Sequence, residues 1–351
     1  MHKEDLENEF IKRYPEEKTA LRSFVARCSL TICGKGFEKT NKGIYSCTLS
    51  PGTYVTVKTE DSNIFSVQMC DGDIQYECEN GKLSEYNGSK EIKEIYKCID
   101  RFRGSVKGAK ILFCFDVEEE PFRRCCEAVT AALEIINNGT MQEVKKYINL
   151  MESKENFVCG ELFGRKNLMF GIDENNQTEY LPFNITQNKI ILVDAELKKN
   201  NIYDKIKEAR KNIAERIPEG VKGLKYEGED IYEKYVIKEK DMTMFFKNEL
   251  RRGKMDSIAE KQEENIFLFS KLLGKNAEQF LKLYGVLKKS GMCSIIFPAY
   301  NYRGLAAIVK DELVDDFVEC ISDGCEKEVE NTPSFYICDT DDSGIEIMEN
   351  N

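Results

Sequence analysis

Apolar positions along the chain recur at strand and helix spacings, and the clearest pattern lies between residues 111 and 139. Residues 111–115 form an apolar run, which predicts a strand buried on both faces. Pro121 suits the first turn of a helix. Apolar residues then follow at helical spacing as far as Gly139, a residue type that commonly ends helices. The stretch therefore predicts a strand, a short acidic loop and a helix.

The loop of this predicted unit lies where nucleotide-binding proteins hold a phosphate, because a helix N-terminus offers free N–H groups and a partial positive charge. Such a loop needs glycines and hydroxyl groups. Here it carries Glu118, Glu119 and Glu120, followed by Pro121 and Phe122. Three carboxylates would themselves satisfy the helix dipole and would repel a triphosphate. The order of elements thus favours a phosphate site, whereas the chemistry of the loop argues against one.

Four side chains at the start of this helix have both a functional and a structural interpretation. Arg123 and Arg124 could bind an anion through paired hydrogen bonds, but the adjacent glutamates favour local ion pairs. Cys125 and Cys126 lie near a helix N-terminus, which can lower the pKa of a thiol. Because the chain has a single histidine, His2, no obvious base accompanies a cysteine nucleophile, and that role is disfavoured.

The remaining patterns predict an α+β protein with a domain boundary between residues 155 and 170. In the first half they predict a helix over 4–23 that breaks near Pro15, a strand over 24–34, a polar loop over 35–43, a hairpin of strands 53–60 and 63–70, and helices over 91–104 and 141–154. In the second half they predict strands over 168–173, 189–196, 293–297, 304–310 and 333–338, and helices over 200–217, 242–252, 255–289 and 314–327.

Composition excludes several classes of function. Lys and Arg number 51 and Asp and Glu 62, so the net charge of −11 disfavours nucleic acid and anionic lipid as partners. No apolar run approaches the roughly 20 residues of a membrane span. The polar, charged N-terminus does not resemble a signal peptide, so we expect a cytoplasmic protein. The fourteen cysteines show no C-x-x-C or zinc spacing and are expected to be reduced, mostly buried thiols.

A metal site has one further candidate in the acidic tail DTDDSG over 339–344. This tail resembles the start of a calcium loop, which needs a bidentate glutamate at its twelfth position. Counted from Asp339, that position is Asn350. A solvated acidic tail is therefore the favoured interpretation, and no metal site is predicted.

Several segments together resemble the galactokinase family of the GHMP kinase superfamily, in the same order along nearly the whole chain. These segments are 24–57, 115–139, 155–173, 180–199, 207–215, 304–321 and 333–338. FVARCSLTICGKGFEKTNKG followed by GTY resembles the opening of a galactokinase, and GLAAIVKDELVDDFVECI with PSFYIC resembles its closing segment. The resemblance implies an α+β, two-domain GHMP-kinase-like fold. Its N-terminal domain, residues 1–167, would hold a mixed sheet with helices, and its C-terminal domain, residues 168–351, an α/β sandwich.

The family's sugar-binding positions are mostly changed in this sequence. In the resemblance the family's Arg, Glu, His and Asp fall on Ser29, Lys35, Gly36 and Glu38, and its sugar-contacting Tyr falls on Ile206. Sugar hydroxyl groups are held by carboxylate and imidazole acceptors, and Lys35 reverses the charge of one of them. Only Glu38 is a conservative change.

The family's phosphate-binding and catalytic positions are changed as well. The glycines of its phosphate loop fall on Glu120 and Phe122, and its serine run falls on Arg124, Cys125 and Cys126. The catalytic Asp has no counterpart, and Glu161 is the nearby carboxylate that could replace it. The third motif, GAGFGG, falls on 298–303 without its glycines. Phosphoryl transfer depends on such positioning and charge neutralisation.

These observations favour a galactokinase-like pseudoenzyme with no cofactor and with a sugar-binding, regulatory or protein-binding role. Its partner would be a sugar such as galactose, or a protein. The alternative is an active, diverged sugar kinase that uses ATP and Mg²⁺, with Glu38 or Glu161 as base and Arg123 or Arg124 on the phosphate. A third possibility is a structural role, with the aromatic-rich segment 299–304 as a protein-binding patch.

Overall fold

The computed structural model describes residues 3–15, 21–33, 45–70, 75–79, 90–101, 106–116, 125–137, 139–140, 142–144, 164–172, 178–197, 202–216, 228, 230–299, 304–342 and 344–348. The chain divides into a first unit, residues 1–29, 48–163 and 341–351, and a second unit, residues 30–47 and 164–340. The predicted boundary between residues 167 and 168 stays a prediction. Within the described ranges, no helix is both long enough and apolar enough to cross a membrane.

The described elements are mixed helix and strand in two sheets, which confirms the predicted α+β fold class. The helices are α1 (Lys3–Arg13), α2 (Lys90–Arg101), α3 (Cys125–Ile136), α4 (Ile202–Arg216), α5 (Ile231–Arg251), α6 (Met255–Ser270), α7 (Ala277–Ser290) and α8 (Val314–Glu328). The strands are β1 (Arg22–Cys33), β2 (Tyr45–Glu60), β3 (Ile64–Met69), β4 (Gln75–Glu79), β5 (Gly108–Phe115), β6 (Leu168–Ile172), β7 (Thr178–Pro182), β8 (Asn188–Asp194), β9 (Cys293–Ala299), β10 (Gly304–Lys310), β11 (Ser334–Cys338) and β12 (Ile345–Ile347).

The first unit is built on a mixed sheet in the order β12-β1-β2-β5-β3-β4, with β5 antiparallel to β2 and parallel to β3. Side chains of β5 alternate between two apolar clusters. Ile111 and Phe113 pack in the cluster that contains residues of α2 and α3. Leu112 and Cys114 pack in the cluster that contains residues of α1. The apolar run therefore is a strand covered on both faces, as predicted.

The predicted hairpin of residues 53–60 and 63–70 is wrong. Both strands exist as β2 and β3, but each pairs with β5, which lies between them. The chain crosses over the start of β5 at Gly108, where a Cβ atom would lie 2.6 Å from the carbonyl oxygen of Ile64 and 2.7 Å from Oγ of Ser62. A glycine permits this close crossing. Neighbouring strands in the sequence usually pair directly, so the local pattern did not reveal the inserted strand.

The second unit contains an antiparallel sheet in the order β11-β8-β10-β9. Val193 and Leu305 on this sheet share a buried cluster with Phe280, Leu287 and Phe317 from helices α7 and α8. This layering confirms the predicted α/β sandwich. In the same unit, the first residues of β2 pair with β6, and β6 pairs with β7.

Three predicted helices differ from the structure. The first helix ends at Arg13, and residues 22 and 23 lie in β1, so the prediction was wrong beyond the Pro15 break. Helix α5 begins eleven residues before the predicted position 242. The predicted helix over 255–289 is two helices separated by a 3-10 segment, in which Gly274 has a φ of 56°.

The acidic tail over 339–344 is solvated in part, as predicted, because Asp339 and Asp342 are exposed. Its main chain is nevertheless hydrogen-bonded: the Asp341 N–H donates to the Thr48 carbonyl at 3.0 Å, and the Arg27 N–H donates to the Gly344 carbonyl at 2.6 Å. The tail leads into strand β12, which pairs with β1 and completes that edge of the sheet.

One cysteine pair departs from the prediction of reduced thiols. Cys70 and Cys114 are joined as a disulfide, with Cα atoms 5.0 Å apart. The parallel register of β3 and β5 places Met69 beside Phe113, so the following residues, Cys70 and Cys114, are neighbours as well. Nine other cysteines whose side chains are described are free thiols.

Candidate functional site

The structure confirms the strand and the body of the helix in the predicted strand–loop–helix unit, whereas the predicted first turn at Pro121 lies outside the described residues. Strand β5 ends at Phe115, and helix α3 begins at Cys125. The loop residues Glu120, Phe122, Arg123 and Arg124 lie outside the described residues. The candidate site is therefore described by the residues on either side of the loop, Asp116 at the end of β5 and Cys125 at the start of α3.

Asp116, the residue that follows β5, is hydrogen-bonded to the middle of β2. Its carboxylate oxygen Oδ2 accepts hydrogen bonds from the Tyr54 hydroxyl at 2.6 Å and from the Gly52 N–H at 3.1 Å. The Asp116 N–H in turn donates to the Gly52 carbonyl at 3.1 Å. Burial, together with the neighbouring Asp116 carboxylate, raises the pKa of Tyr54 above its ordinary value. Asp116 thus has a fixed position at the entrance to the loop.

Gly52 permits this arrangement because β1 passes close to it. A Cβ atom at Gly52 would lie 2.9 Å from a methyl group of Val25 and 3.1 Å from the Ala26 carbonyl oxygen. Both distances are shorter than those that Cβ atoms ordinarily make to neighbouring atoms. The glycine of the GTY segment therefore lets β2 approach β1 while its N–H binds Asp116.

Arg27 extends the network from Tyr54 to the C-terminal segment. Its Nη1 donates to the Ser50 carbonyl at 2.6 Å and to the Tyr54 hydroxyl at 3.2 Å. Its guanidinium also lies 3.4 Å from the Asp341 carboxylate and 3.6 Å from the Glu346 carboxylate. Burial lowers the pKa of Arg27, but the negative charges around it outweigh that effect and raise it.

Sequence reasoning did not assign a role to Asp116, Tyr54 or Arg27. A signal was present, since Arg27 is a charged residue within an apolar strand pattern and buried charges require partners. The identity of those partners depends on residues 23 to more than 300 positions away, which the sequence pattern does not bring together.

Two predicted phosphate-loop positions are described, and both are at the start of α3. Cys125 is 3% exposed and belongs to the buried cluster of the first unit. Cys126 is half-buried and packs against the same cluster. A side chain packed in the core does not present its polar atom to a ligand at the helix N-terminus.

The predicted sugar-binding positions are described in part. Ser29 lies on β1 and is buried, and it belongs to the first unit. Ile206 lies on α4 and is buried in the apolar cluster of the second unit. Lys35, Gly36 and Glu38 lie outside the described residues, as does Glu161, the candidate catalytic carboxylate. The roles of these residues stay predictions.

The second unit holds a polar cluster around Glu179. One member of the cluster, Tyr45, follows the segment that resembles the family's sugar-binding motif. The Glu179 carboxylate accepts hydrogen bonds from the Tyr45 hydroxyl at 2.8 Å and from Lys247 Nζ at 2.6 Å, and it also pairs with Arg251. Lys247 lies 5.8 Å from the centre of the Tyr45 ring. Burial raises the pKa of Glu179, but its three donors more than offset this, so the pKa is lowered.

Within the described ranges, no group of three or more His, Cys, Asp or Glu side chains is placed to hold a metal ion. Asp341, from the segment that resembles a calcium loop, faces Arg27 instead.

Comparison with solved structures identifies the fold. A galactokinase from Lactococcus lactis, solved in complex with galactose, matches with a TM-score of 0.77 over 98% of this chain and 99% of its own, at 14% sequence identity. The chain has the fold of a galactokinase. A mevalonate kinase from Methanococcus jannaschii matches with a TM-score of 0.60 over 93% of this chain and 100% of its own, at 12% identity.

A third solved structure has a similar fold. A homoserine kinase from Cytophaga hutchinsonii has a TM-score of 0.57 over 94% of this chain and 98% of its own, at 11% identity. These matches confirm the predicted GHMP-kinase-like fold in a strongly diverged sequence. No protein-family model matches the sequence, and no curated protein matches it.

Proposed function

We propose that this protein is a galactokinase-fold pseudoenzyme that acts by binding a sugar or a protein and does not transfer phosphate. The observation that carries the proposal is the packing of Cys125. At a position where the family is expected to offer a serine hydroxyl, this chain has a thiol buried in the core of the first unit. Phosphoryl transfer needs preorganised contacts to the phosphate and its metal ion.

A second line of support comes from Asp116. This carboxylate stands next to the loop, but Tyr54 and Gly52 both donate to its Oδ2 atom. The changed glycines and serines of the sequence agree with this picture, as does the missing catalytic Asp. The scaffold is retained while the atoms that would act on a phosphate are replaced or bound within the protein.

The nature of the ligand is also part of the proposal. The similar galactokinase was solved with galactose, so galactose is the first small molecule to test, ahead of a protein partner. A cytoplasmic location is part of the same proposal.

The proposal predicts that the purified chain does not phosphorylate galactose. Incubation with ATP, Mg²⁺ and galactose should give no sugar phosphate, measured by mass spectrometry, above a control without protein. A known galactokinase run in parallel would verify the assay. Clear turnover would contradict the proposal and favour the active kinase. In that case the Glu161→Ala variant would test the predicted base.

Binding is measured separately by titration calorimetry. A non-hydrolysable ATP analogue with Mg²⁺ should produce no heat of binding at millimolar concentration, and micromolar affinity would count against the proposal. Galactose is titrated next, with a sugar of equal size as control. Selective binding of galactose would favour a sugar-binding role, and no binding would favour a protein partner.

A further inference from the structure

We propose that Cys70 and Cys114 form a reversible oxidation site, whose disulfide is made by exchange with a small-molecule disulfide, is broken by exchange with a small-molecule thiol, and fixes the end of β5. The inference does not depend on the proposed function, because it concerns the first unit alone.

The spacing of the two strands favours the bond. The Cα atoms of Cys70 and Cys114 are 5.0 Å apart, within the range of about 4.4–6.8 Å that disulfides require. The Cys70 N–H donates to the Phe113 carbonyl at 2.8 Å, which continues the parallel ladder of β3 and β5. The sheet backbone thus holds the two cysteines next to each other.

The two cysteines differ in accessibility, which gives the exchange an order. Cys114 is 1% exposed and packs among Leu112, Tyr54 and residues of α1. Cys70 is half-buried at the edge of the same cluster. A reagent in solution therefore reaches Cys70 first, and Cys114 is the internal partner that completes or releases the bond.

The chemical step balances without any group bound to the protein. The Cys70 thiolate attacks a small disulfide, such as oxidised glutathione, and one small thiol leaves. The Cys114 sulfur then attacks the Cys70 sulfur of the mixed disulfide, and the second small thiol leaves. The protein loses two protons and two electrons, and one small disulfide takes them up to become two small thiols.

The chain around this pair is not a disulfide framework. Buried cysteines that are not in a disulfide, such as Cys28, Cys47 and Cys98, accompany the single described pair. In a reducing compartment, an isolated disulfide is usually transient and is used for redox sensing or catalysis. The surroundings thus favour a bond that forms and breaks.

The pair adjoins the candidate site through the backbone. Cys114 is two residues before Asp116, which Tyr54 and Gly52 hold at the entrance to the loop. The Cys70 carbonyl accepts a hydrogen bond from Arg13 Nη2 at 3.0 Å, at the end of α1. Oxidation therefore links the end of β3 to the strand that positions Asp116.

The test is a redox titration of the full chain. The protein is equilibrated with mixtures of reduced and oxidised glutathione, quenched in acid and labelled with a maleimide after unfolding. We expect the intact mass to lose two labels between the reducing and oxidising limits, and peptide mapping to place both at Cys70 and Cys114. Full labelling of the two cysteines at every ratio would overturn the proposal. So would a bond that reduced glutathione never opens in the folded protein.

Variants test the order of the exchange. Cys114→Ser should lose the paired transition and accumulate one glutathione on Cys70, whereas Cys70→Ser should show neither. Cys98→Ser, which removes a buried cysteine of the same unit that is not in a disulfide, should keep the transition. A glutathione adduct on Cys114 in Cys70→Ser, with none on Cys70 in Cys114→Ser, would refute the assigned order. The wild-type titration decides the main point even if a variant fails to fold.

Hydrogen exchange tests the link to the site. Amides in the peptide that contains Phe113 and Asp116 should exchange more slowly in the oxidised protein than in the reduced protein, because the bond suppresses opening of the strand end. Equal exchange in both forms would refute the structural coupling.

Discussion

Replacing Glu179 with glutamine tests how strongly the polar cluster of the second unit stabilises the fold. The Glu179 side chain is 16% exposed and receives the Tyr45 hydroxyl, Lys247 and Arg251. Glutamine has nearly the same shape but no charge. Its amide group would also direct N–H donors toward the two cations. The substitution therefore removes charge-assisted hydrogen bonds without creating a cavity.

The expected loss in the free energy of unfolding follows from how exposed each partner of Glu179 is. Lys247 is 25% exposed and Arg251 is 52% exposed, so the Arg251 pair should be strongly screened and contribute only about 0.5 kcal/mol. A hydrogen bond to a charged group that is mostly shielded contributes about 1.5–3 kcal/mol. Allowing for one hydrogen bond that glutamine retains, we expect Glu179→Gln to lower the free energy of unfolding by about 2–3 kcal/mol at neutral pH.

The matched control is Glu278→Gln, which removes an exposed ion pair. Glu278 lies 3.1 Å from Lys282 one helical turn away, and its side chain is 78% exposed. We expect its loss to cost less than about 0.5 kcal/mol. Both variants are compared with the wild type by urea unfolding followed by circular dichroism. Equal losses in the two variants would refute the argument from burial.

The pH dependence gives a second check on the same variant. Burial raises the pKa of Glu179, but Lys247, Tyr45 and Arg251 lower it below its ordinary 4.5. The stability that the folded carboxylate contributes is therefore complete above the unfolded pKa and is lost as the pH falls through the lowered folded pKa. The difference between wild type and Glu179→Gln should be constant near neutral pH and shrink below about pH 4.5. A difference that grows on acidification would contradict the assignment.

Three further substitutions test the packing and the candidate site by thermal and urea unfolding. Gly304→Ala should destabilise the protein by about 3 kcal/mol, because its Cβ would lie 1.8 Å from the carbonyl oxygen of Val193; a neutral effect would show that the strands separate easily. In the control variant Gly285→Ala, the added Cβ meets nothing within 4 Å in helix α7, so the substitution should stabilise the protein by about 0.5–1 kcal/mol. A loss of stability would contradict the open space around this position. Tyr54→Phe should cost about 1.5–3 kcal/mol, because Asp116 loses its 2.6 Å partner; an unchanged midpoint would mean that the network does not hold Asp116.

The candidate site was only partly predictable from the sequence. The pattern located the end of β5 and the body of α3, and the resemblance pointed to the changed positions around the loop. It did not indicate that Cys125 packs in the core or that Tyr54 and Arg27 hold Asp116, because those contacts join distant segments. The Glu179 cluster was missed for the same reason, since its partner Tyr45 is 134 residues away.

The sequence by itself determined the elements whose pattern is local. The apolar run before Asp116 and the closing segments over 304–310 and 314–327 became β5, β10 and α8, because a side-chain period of two or 3.6 is contained in one window of the chain. Helix α5 was recognised only in part, since Glu233 and Glu239 are buried on it and interrupt the apolar pattern.

Only the tertiary structure decided which elements meet. It placed β5 between β2 and β3, added β12 to the edge of the sheet beside β1, and brought Cys70 to Cys114 across 44 residues. The physical reason is that strand pairing is made by main-chain hydrogen bonds, for which every residue offers a carbonyl acceptor and every residue except proline an N–H donor. The choice among strand orders depends on burial and on close crossings such as Gly108, and these arise only when the whole unit has packed.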